Sequence, residues 1–158
     1  SPVYEGKNLD SDFGIDEKAV FDAVPHGWRE IWRRTNDLKA EELFDGKAGV
    51  LYLVHYIKSE ESQPALIGVP NSNRMKIYLN GKFLHTTADV VPLAPNEGGD
   101  GSNYAKGTLK AGWNQILIKL ERTDQPLEAH FLASGVDEQH PINNGDALMG
   151  IERARLPW

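Results

Sequence analysis

The chain has 158 residues, which suits a single domain with its own core, and its 40% hydrophobic and 25% charged residues are the composition of an ordinary globular protein. It contains no cysteine, which excludes disulfides, a thiol nucleophile and thiolate metal sites. A net charge of −6 argues against binding to nucleic acid, and no apolar run reaches the roughly 20 residues that span a bilayer.

Residues 1–15 are rich in glycine, asparagine and aspartate, and they are predicted to form a lead-in arm. Four carboxylates lie close together within residues 10–17: Asp10, Asp12, Asp16 and Glu17. A calcium ion takes several oxygen ligands, but the EF-hand pattern fails because Gly14 occupies the fifth loop position, where a ligand is needed. No spacing in the chain therefore assigns residues to a metal.

Residues 16–34 support two interpretations. The first part, 16–24, is equally typical of a short helix capped by Asp16 and of a strand. After a break, Trp28 and Trp32 fall on one face of a helix. Tryptophans at such a spacing usually belong to a core or to a contact with another domain. The choice between helix and strand stays open.

The segment Lys47–Lys58 is a nearly continuous apolar run, rich in β-branched and aromatic residues. This pattern predicts a central strand covered on both faces. His55 lies inside the run and is interpreted as a core histidine with its polar atoms satisfied. A second short strand is predicted for Ala65–Val69, where Pro70 ends it.

The segment Arg74–His85 alternates apolar and polar side chains around the pair Asn80-Gly81. This is the strongest short-range signal of a hairpin, and the pair supplies the positive φ angles of a type I′ turn. A long insertion at residues 86–106 follows, and its prolines and glycines are typical of an exposed loop.

The next strand lies within residues 107–120 and is entered through a Gly112-Trp113-Asn114 corner. We expect Trp113 to plug the end of the fold and Asn114 to tie the turn with its side-chain amide. A further strand is predicted for residues 127–133.

Six or seven short strands, separated by proline, glycine and asparagine turns, predict an all-β fold with little helix, namely an antiparallel β-sandwich. No alternation of strands and helices supports a parallel sheet. The long insertion fits a jelly roll, because such folds carry long excursions at one end of the two sheets. We therefore predict one sandwich domain over residues 16–133 and an extended C-terminal tail over residues 134–158.

Three stretches carry a resemblance: Tyr52–Ser59, Arg74–Lys82 and Leu109–Leu120, the last with a Leu-x-x-Gly-x-Asn corner. Over roughly residues 47–133 the chain resembles the galactose-binding-domain-like jelly rolls attached to bacterial polysaccharide-degrading enzymes. The resemblance implies the jelly-roll fold and a carbohydrate-binding or accessory role beside a catalytic domain. It also implies an extracellular (secreted) or periplasmic location and, in many such domains, a structural calcium ion.

Sugars offer hydroxyls to asparagine, aspartate, glutamate and arginine, and a C–H face that stacks on tryptophan or tyrosine. The insertion carries these groups on a polar loop. Further polar groups stand on the rim, by which we mean the residues just before the hairpin, and a tryptophan follows the glycine of the corner. The candidate ligand-binding residues are Asn96, Glu97, Asp100, Asn103 and Tyr104 in the insertion, Asn71, Asn73 and Arg74 at the rim, and Trp113.

No catalytic signature is present, whether a nucleophile elbow, a phosphate-binding glycine loop or a zinc-binding helix. The expected function is a non-catalytic carbohydrate-binding module for a polysaccharide or oligosaccharide, with no nucleic-acid or membrane partner. One alternative is a structural accessory sandwich that packs on a catalytic domain through Trp28, Trp32 and Trp158. Another is a small lyase or hydrolase that uses His55, His85, Tyr104 and Arg74.

Overall fold

The computed structural model describes residues 4–11, 14–18, 40–68, 74–87, 104–123, 127, 129 and 131–135. Within these residues there are one short helix and eight strands. The helix is α1 (Ala40–Phe44), and the strands are β1 (Tyr4–Glu5), β2 (Gly49–Ser59), β3 (Gln63–Gly68), β4 (Arg74–Leu79), β5 (Lys82–Thr86), β6 (Tyr104–Leu109), β7 (Gly112–Arg122) and β8 (Leu132–Gly135). No helix in the described part of the chain has the length and apolarity needed to cross a membrane.

The strands form two antiparallel sheets. One sheet has five strands in the order β1-β2-β7-β4-β5, and the other has three in the order β6-β3-β8. From β2 onward the chain crosses between the sheets at every connection except the β4–β5 hairpin. The predicted all-β fold with little helix, an antiparallel sandwich, is confirmed.

The core lies between the two sheets. In β7 every second side chain points inward, so Ile116, Ile118 and Leu120 are at most 1% exposed. Strand β4 adds Met75, Ile77 and Leu79, and the three-stranded sheet adds Ala65, Ile67, Leu109 and Ala133. The sheets approach closely at Gly107, where an added Cβ would lie 2.9 Å from Cδ2 of Leu79.

Strand β2 is the long apolar run of the sequence, and it pairs with β7 along its whole length. On its other side, Gly49 and Val50 pair with the short β1. Residues 52–56 are half-buried. The predicted strand is confirmed. The three-stranded sheet covers its inner face, whereas its outer face is covered only in part, at Val50 and Tyr52.

His55 of β2 points to the inner side of the sandwich, where its ring centroid lies 4.6 Å from that of Phe131. Burial lowers the pKa of His55, so its imidazole is neutral at neutral pH. A neutral imidazole packed against an aromatic ring agrees with the interpretation of His55 as a core residue. Its buried Nε2 atom makes no hydrogen bond to any described residue, so the predicted satisfaction of its polar atoms is wrong.

Strands β4 and β5 form the predicted hairpin. Asn80 and Gly81 have φ angles of 50° and 77°, as a type I′ turn requires. The backbone N–H of Asn80 donates to the Gln115 carbonyl at 2.8 Å, and its side-chain oxygen accepts from the Gln115 N–H at 2.9 Å. The hairpin prediction is confirmed, and the turn is attached to β7.

Replacing Gly81 with alanine is expected to lower the free energy of unfolding by about 1–2 kcal/mol, because a Cβ atom is disfavoured at positive φ. Urea unfolding measures this change. Lys82→Ala, at the neighbouring exposed strand position, is the control and should change stability by less than about 0.5 kcal/mol. Equal stability of Gly81→Ala and the wild type would contradict the turn assignment.

The short helix α1, which the sequence analysis did not predict, is attached to the end of β7. Glu41 in α1 accepts two hydrogen bonds of 2.8 Å from the Arg122 guanidinium and one of 2.9 Å from the Leu127 N–H. These bonds, with that from Arg122 the strongest, hold the pKa of Glu41 below its usual value. Arg122 also donates to the Gly46 carbonyl at 3.1 Å, which joins the turn after α1 to the same anchor.

The observed strands extend slightly beyond the predicted sandwich boundaries of 16–133. Strand β1 lies inside the predicted arm and pairs with β2, and β8 continues to Gly135 inside the predicted tail. The choice between helix and strand over residues 19–34 lies outside the described residues. So do the three tryptophans considered for a domain contact: Trp28, Trp32 and Trp158.

Candidate functional site

Alternation along the strands directs half of the side chains of the five-stranded sheet away from the core. We call this surface the outer face, and its central members are Tyr52, Val54 and Tyr56 of β2, Lys76 and Tyr78 of β4, and Gln115, Leu117 and Lys119 of β7. The β7 members are at most 3% exposed although the second sheet lies on the other side. Other parts of the chain therefore cover the middle of the outer face.

Part of the N-terminal arm lies over one end of the outer face. Leu9 is 3% exposed, and its backbone N–H donates to the Glu121 carboxylate at 3.2 Å. Lys76 of β4 donates to the Leu9 carbonyl at 3.3 Å and to the Asp10 carboxylate at 2.9 Å. Where it is described, the predicted arm is thus packed onto the sheet.

The carboxylate of Glu17 accepts three hydrogen bonds from the outer face. The Tyr52 hydroxyl donates to Oε1 at 2.5 Å, and Nζ of Lys119 donates to the same oxygen at 2.8 Å. The Tyr78 hydroxyl donates to Oε2. Because the donors stand on β2, β7 and β4, one carboxylate joins the three central strands of the sheet.

Lys119 is a buried cation, with only 3% of its side chain exposed. Its Nζ atom pairs with Glu17, donates to the Ser11 carbonyl at 3.1 Å and lies 5.5 Å from the centroid of the Tyr52 ring. A buried ammonium is costly unless it is paired and hydrogen-bonded. Glu17 therefore serves as the counter-ion that allows Lys119 to lie in the sheet.

The protonation states at this cluster follow from the same contacts. Burial raises the pKa of Glu17, but the hydrogen bonds from Lys119 and the two tyrosines outweigh it and hold that pKa below its usual value. Burial first, and then the bond to Glu17, raise the pKa values of Tyr52 and Tyr78 well above the usual tyrosine value. At neutral pH the carboxylate is ionised and both phenols keep their protons, so the phenols act as donors.

An open groove of about 460 Å³ lies beside Glu17, between the arm and the sheet. It is lined by Leu9, Asp10, Ser11, Ile15, Asp16, Glu17, Lys18, Lys76, Tyr78 and Lys119. Three of these side chains are acidic and three are basic. The volume falls within the range of small-molecule sites, about 300–1,000 Å³, and the charged lining suits a polar ligand.

Towards its other end, the outer face exposes two aromatic side chains. Trp113 in β7 is 58% exposed, and Phe83 in β5 is 56% exposed. The Phe83 ring meets the Tyr78 ring edge-on at 5.8 Å between centroids, which places Phe83 on the outer face. Trp113 shares its side of β7 with Leu117 by alternation. Both rings are therefore available to a ligand on the same surface.

The strand register sets the separation of the two rings. Trp113 lies four residues along β7 from Leu117, which is two strands away from Phe83. At about 3.4 Å per residue and about 4.8 Å per strand, the backbone positions that carry the two rings are roughly 16 Å apart.

The Gly112-Trp113-Asn114 corner fixes the backbone that carries the exposed indole. Gly112 has a φ angle of 89°, which disfavours a side chain at that position. Asn114 is fully buried, and its amide group binds the backbone of Lys110 and Gly112. The predicted tie by Asn114 is confirmed. The predicted plug by Trp113 is wrong, because alternation turns Trp113 outward when Asn114 turns inward.

Three of the predicted ligand-binding residues are described, and the structure does not gather them. Arg74 is exposed and pairs with Glu121, eight residues along β7 from Trp113, a distance on the order of 27 Å. Tyr104 belongs to β6 in the other sheet and is 7% exposed, so its ring packs inside the protein. The other candidates lie outside the described residues: Asn71, Asn73, Asn96, Glu97, Asp100 and Asn103.

The residues considered for lyase chemistry also lie apart. His55 points inward from β2, whereas Arg74 stands on the outer side of β4. Tyr104 belongs to the other sheet. Among the described residues, His55, Arg74 and Tyr104 therefore do not come together as one acid–base group.

Two of the acids considered for calcium are paired with lysines. Asp10 lies 2.9 Å from Nζ of Lys76, and Glu17 lies 2.8 Å from Nζ of Lys119. Asp12 lies outside the described residues. In the described part of the chain, no group of three or more histidine, aspartate or glutamate side chains is arranged for a metal. Calcium binding stays a prediction.

No local sequence pattern identifies Tyr52, Tyr78 and Lys119 as a group. One signal was present, because Lys119 interrupts the apolar run Ile116–Leu120, and a cation inside a buried strand needs a partner. The partner itself depends on the strand register and on the course of the arm. Neither is encoded in a local pattern.

Comparison with known proteins gives no assignment for the chain. No protein-family model, curated protein or solved structure matches it.

Proposed function

We propose that this chain is a non-catalytic carbohydrate-binding module of a secreted or periplasmic bacterial polysaccharide-degrading enzyme. The observation that carries the proposal is the exposure of Trp113. Its side chain is 58% exposed on the outer face, at a corner that the hydrogen bonds of Asn114 fix. In this role the module holds the enzyme on a polysaccharide or oligosaccharide, and a neighbouring catalytic domain performs the chemistry.

An exposed indole suits a sugar for a physical reason. The C–H face of a sugar ring stacks on the aromatic face, and both surfaces leave water. Ordering a mobile side chain on binding reduces affinity, so a stacking residue works best when it is held in place beforehand. The buried Asn114, bound to the backbone of Lys110 and Gly112, provides that order next to Trp113.

The surroundings of Trp113 support the same function. Lys58 is its register partner on β2, is exposed, and offers an ammonium donor to sugar hydroxyls. Phe83 presents a second apolar ring on the same face, from a backbone position roughly 16 Å away. This spacing suits an extended glycan of several rings more than a single sugar.

The jelly-roll form of the sandwich and its galactose-binding-domain-like kinship belong to this proposal. They are supported by the resemblance over residues 47–133 and by the repeated crossing of the chain between a five-stranded and a three-stranded sheet.

A structural calcium ion belongs to the proposal as well. The melting temperature in calcium against chelator measures it, because an ion that binds only the folded state raises stability.

Isothermal titration calorimetry against a panel of plant and algal polysaccharides tests the proposed function. On the glycan that binds, Trp113→Ala is expected to weaken binding at least tenfold, or about 1.4 kcal/mol, because the stacking surface is lost. Tyr4→Ala removes another exposed aromatic ring, on β1 at the other end of the sheet, and should leave binding unchanged. The proposal would be overturned if the wild type bound no polysaccharide of the panel, or if Trp113→Ala bound as tightly as the wild type.

A structural accessory domain is the second candidate, because the exposed rings of Trp113 and Phe83 also suit a contact with a catalytic domain. The two candidates give different results in the same assays. The accessory domain shows no glycan affinity, and its Trp113→Ala variant loses association with the catalytic domain.

A further inference from the structure

We propose that Tyr52, Tyr78 and Lys119 form a carboxylate-binding site that Glu17 occupies in cis, and that the carboxylate of a uronic acid binds there when Glu17 is displaced. The carboxylate site stands on its own geometry. Only the choice of a uronate as the ligand rests on the proposed carbohydrate-binding function.

The donors are arranged as a site for two carboxylate oxygens. Tyr52 and Lys119 both donate to Oε1 of Glu17, and Tyr78 donates to Oε2. Charge-assisted hydrogen bonds of this kind are the strong ones in proteins. Two neutral phenols and one ammonium together balance a single negative charge, so the site selects a monoanion.

The backbone positions of the three donors are set by the strand pairing of the sheet. Tyr52 and Lys119 are direct register partners on β2 and β7. Tyr78 on β4 pairs with Leu117, one outward-facing position further along β7. At Lys119 and Tyr78 the strand is paired on both sides, and at Tyr52 it is paired with β7. The sheet therefore preorganises the donors, and a preorganised site binds with little entropic cost.

Glu17 reaches this site from irregular chain. Residues 14–18 form no helix or strand, and Gly14, Asp16 and Lys18 are exposed. Moving such a segment breaks no strand pairing, so it costs less than opening the sheet. A ligand carboxylate that supplies the same three hydrogen bonds can therefore replace Glu17.

The groove beside Glu17 indicates which carboxylate fits. Its volume of about 460 Å³ accommodates a sugar ring, and its lining is mostly charged. Lys76 and Asp16 offer a donor and an acceptor for ring hydroxyls next to the carboxylate site. A uronic acid combines one carboxylate with several hydroxyls on one ring. An acidic peptide side chain lacks those hydroxyls, so we assign the uronate.

Chemical rescue of a Glu17→Ala variant tests the proposal. This variant leaves Lys119 buried without the Glu17 carboxylate, so its melting temperature should fall. We expect sodium acetate and sodium glucuronate to raise the melting temperature of Glu17→Ala by a few degrees above sodium chloride at equal ionic strength, because the free anion fills the site. The wild type should show a much smaller difference, since the anion must first displace Glu17.

Two controls make the rescue specific. Glu60→Ala removes an exposed acid that does not line the groove and should respond alike to acetate and chloride. Adding Lys119→Met to Glu17→Ala should abolish the rescue. If Glu17→Ala does not fold in buffer, the readout becomes the yield of folded protein in acetate against chloride. Equal responses of Glu17→Ala to the two salts, in either readout, would overturn the carboxylate site.

The identity of the ligand is tested in the same assay. Glucuronate should raise the melting temperature of Glu17→Ala more than acetate or an N-acetylated glutamate peptide does, because only the sugar fills the groove. A larger effect of the peptide would overturn the uronate assignment. Trp113→Ala should leave the rescue unchanged, so a failure of glycan binding at Trp113 and a failure of the carboxylate site are separate results.

Discussion

Asn114→Ala is expected to lower the free energy of unfolding by about 3 kcal/mol, since each buried polar group left without a partner costs about 1–3 kcal/mol. Asn114 is fully buried. Its Oδ1 atom accepts from the Lys110 N–H at 2.9 Å and from the Asn80 side-chain amide at 2.8 Å. Its Nδ2 atom donates to the carbonyls of Lys110 at 2.9 Å and Gly112 at 3.1 Å. Alanine removes all four bonds and leaves a void.

Urea unfolding of Asn114→Ala measures the loss, and the neighbouring Trp113→Ala is the matched control. Trp113 is exposed, so its truncation should change stability by less than about 0.5 kcal/mol. A loss below about 1 kcal/mol for Asn114→Ala would show that water replaces the amide at this corner. The two variants are expected to share one phenotype, weaker glycan binding, because Asn114 positions the indole.

Glu17→Gln is expected to lower the free energy of unfolding by about 3 kcal/mol at neutral pH and by much less in acid. Glu17 has a folded-state pKa below its unfolded value of 4.5. Its contribution to stability is therefore fully present above that unfolded value, and it is lost as the pH falls through the lower folded-state pKa. At neutral pH the glutamine leaves Lys119 buried without its counter-ion, and breaking a buried pair in this way costs about 3–5 kcal/mol, reduced here because Glu17 is partly exposed.

Urea unfolding of the wild type and Glu17→Gln at neutral pH and at about pH 3 measures this dependence. The difference between the two proteins should shrink in acid, because the wild-type carboxylate is then losing its charge too. Asp16→Asn makes the same change of charge one residue away, and its free energy of unfolding should differ from that of the wild type by the same small amount at both pH values. A constant difference between Glu17→Gln and the wild type across this range would contradict the assigned ion pair.

Local sequence was sufficient for the hairpin and for the corner that enters β7. Asn80 and Gly81 tolerate positive φ, and this property of two residues specifies the turn between β4 and β5. Gly112 and Asn114 likewise specify the corner. Gly112 adopts a positive φ angle, and the side-chain amide of Asn114 binds the backbone of a residue close by in the chain. Such features lie within a few residues of one another, so a sequence pattern contains them.

Interactions between distant segments could not be predicted from a local sequence pattern. Glu17 and Lys119 are 102 positions apart in the chain, and their pairing depends on where the arm crosses the sheet. The exposure of Trp113 depends on which parts of the chain cover the outer face. An apolar or aromatic residue carries the same local signal whether or not a distant segment covers it.

The sequence by itself therefore determined the all-β class, the hairpin at Asn80-Gly81 and the tie by Asn114, because alternation, positive φ and short-range amide bonds are local properties. Only the tertiary structure decided that Trp113 faces solvent and that Glu17 fills a three-donor site formed by β2, β4 and β7. Strand order and register bring those donors together, and both are set by the packing of the whole sheet.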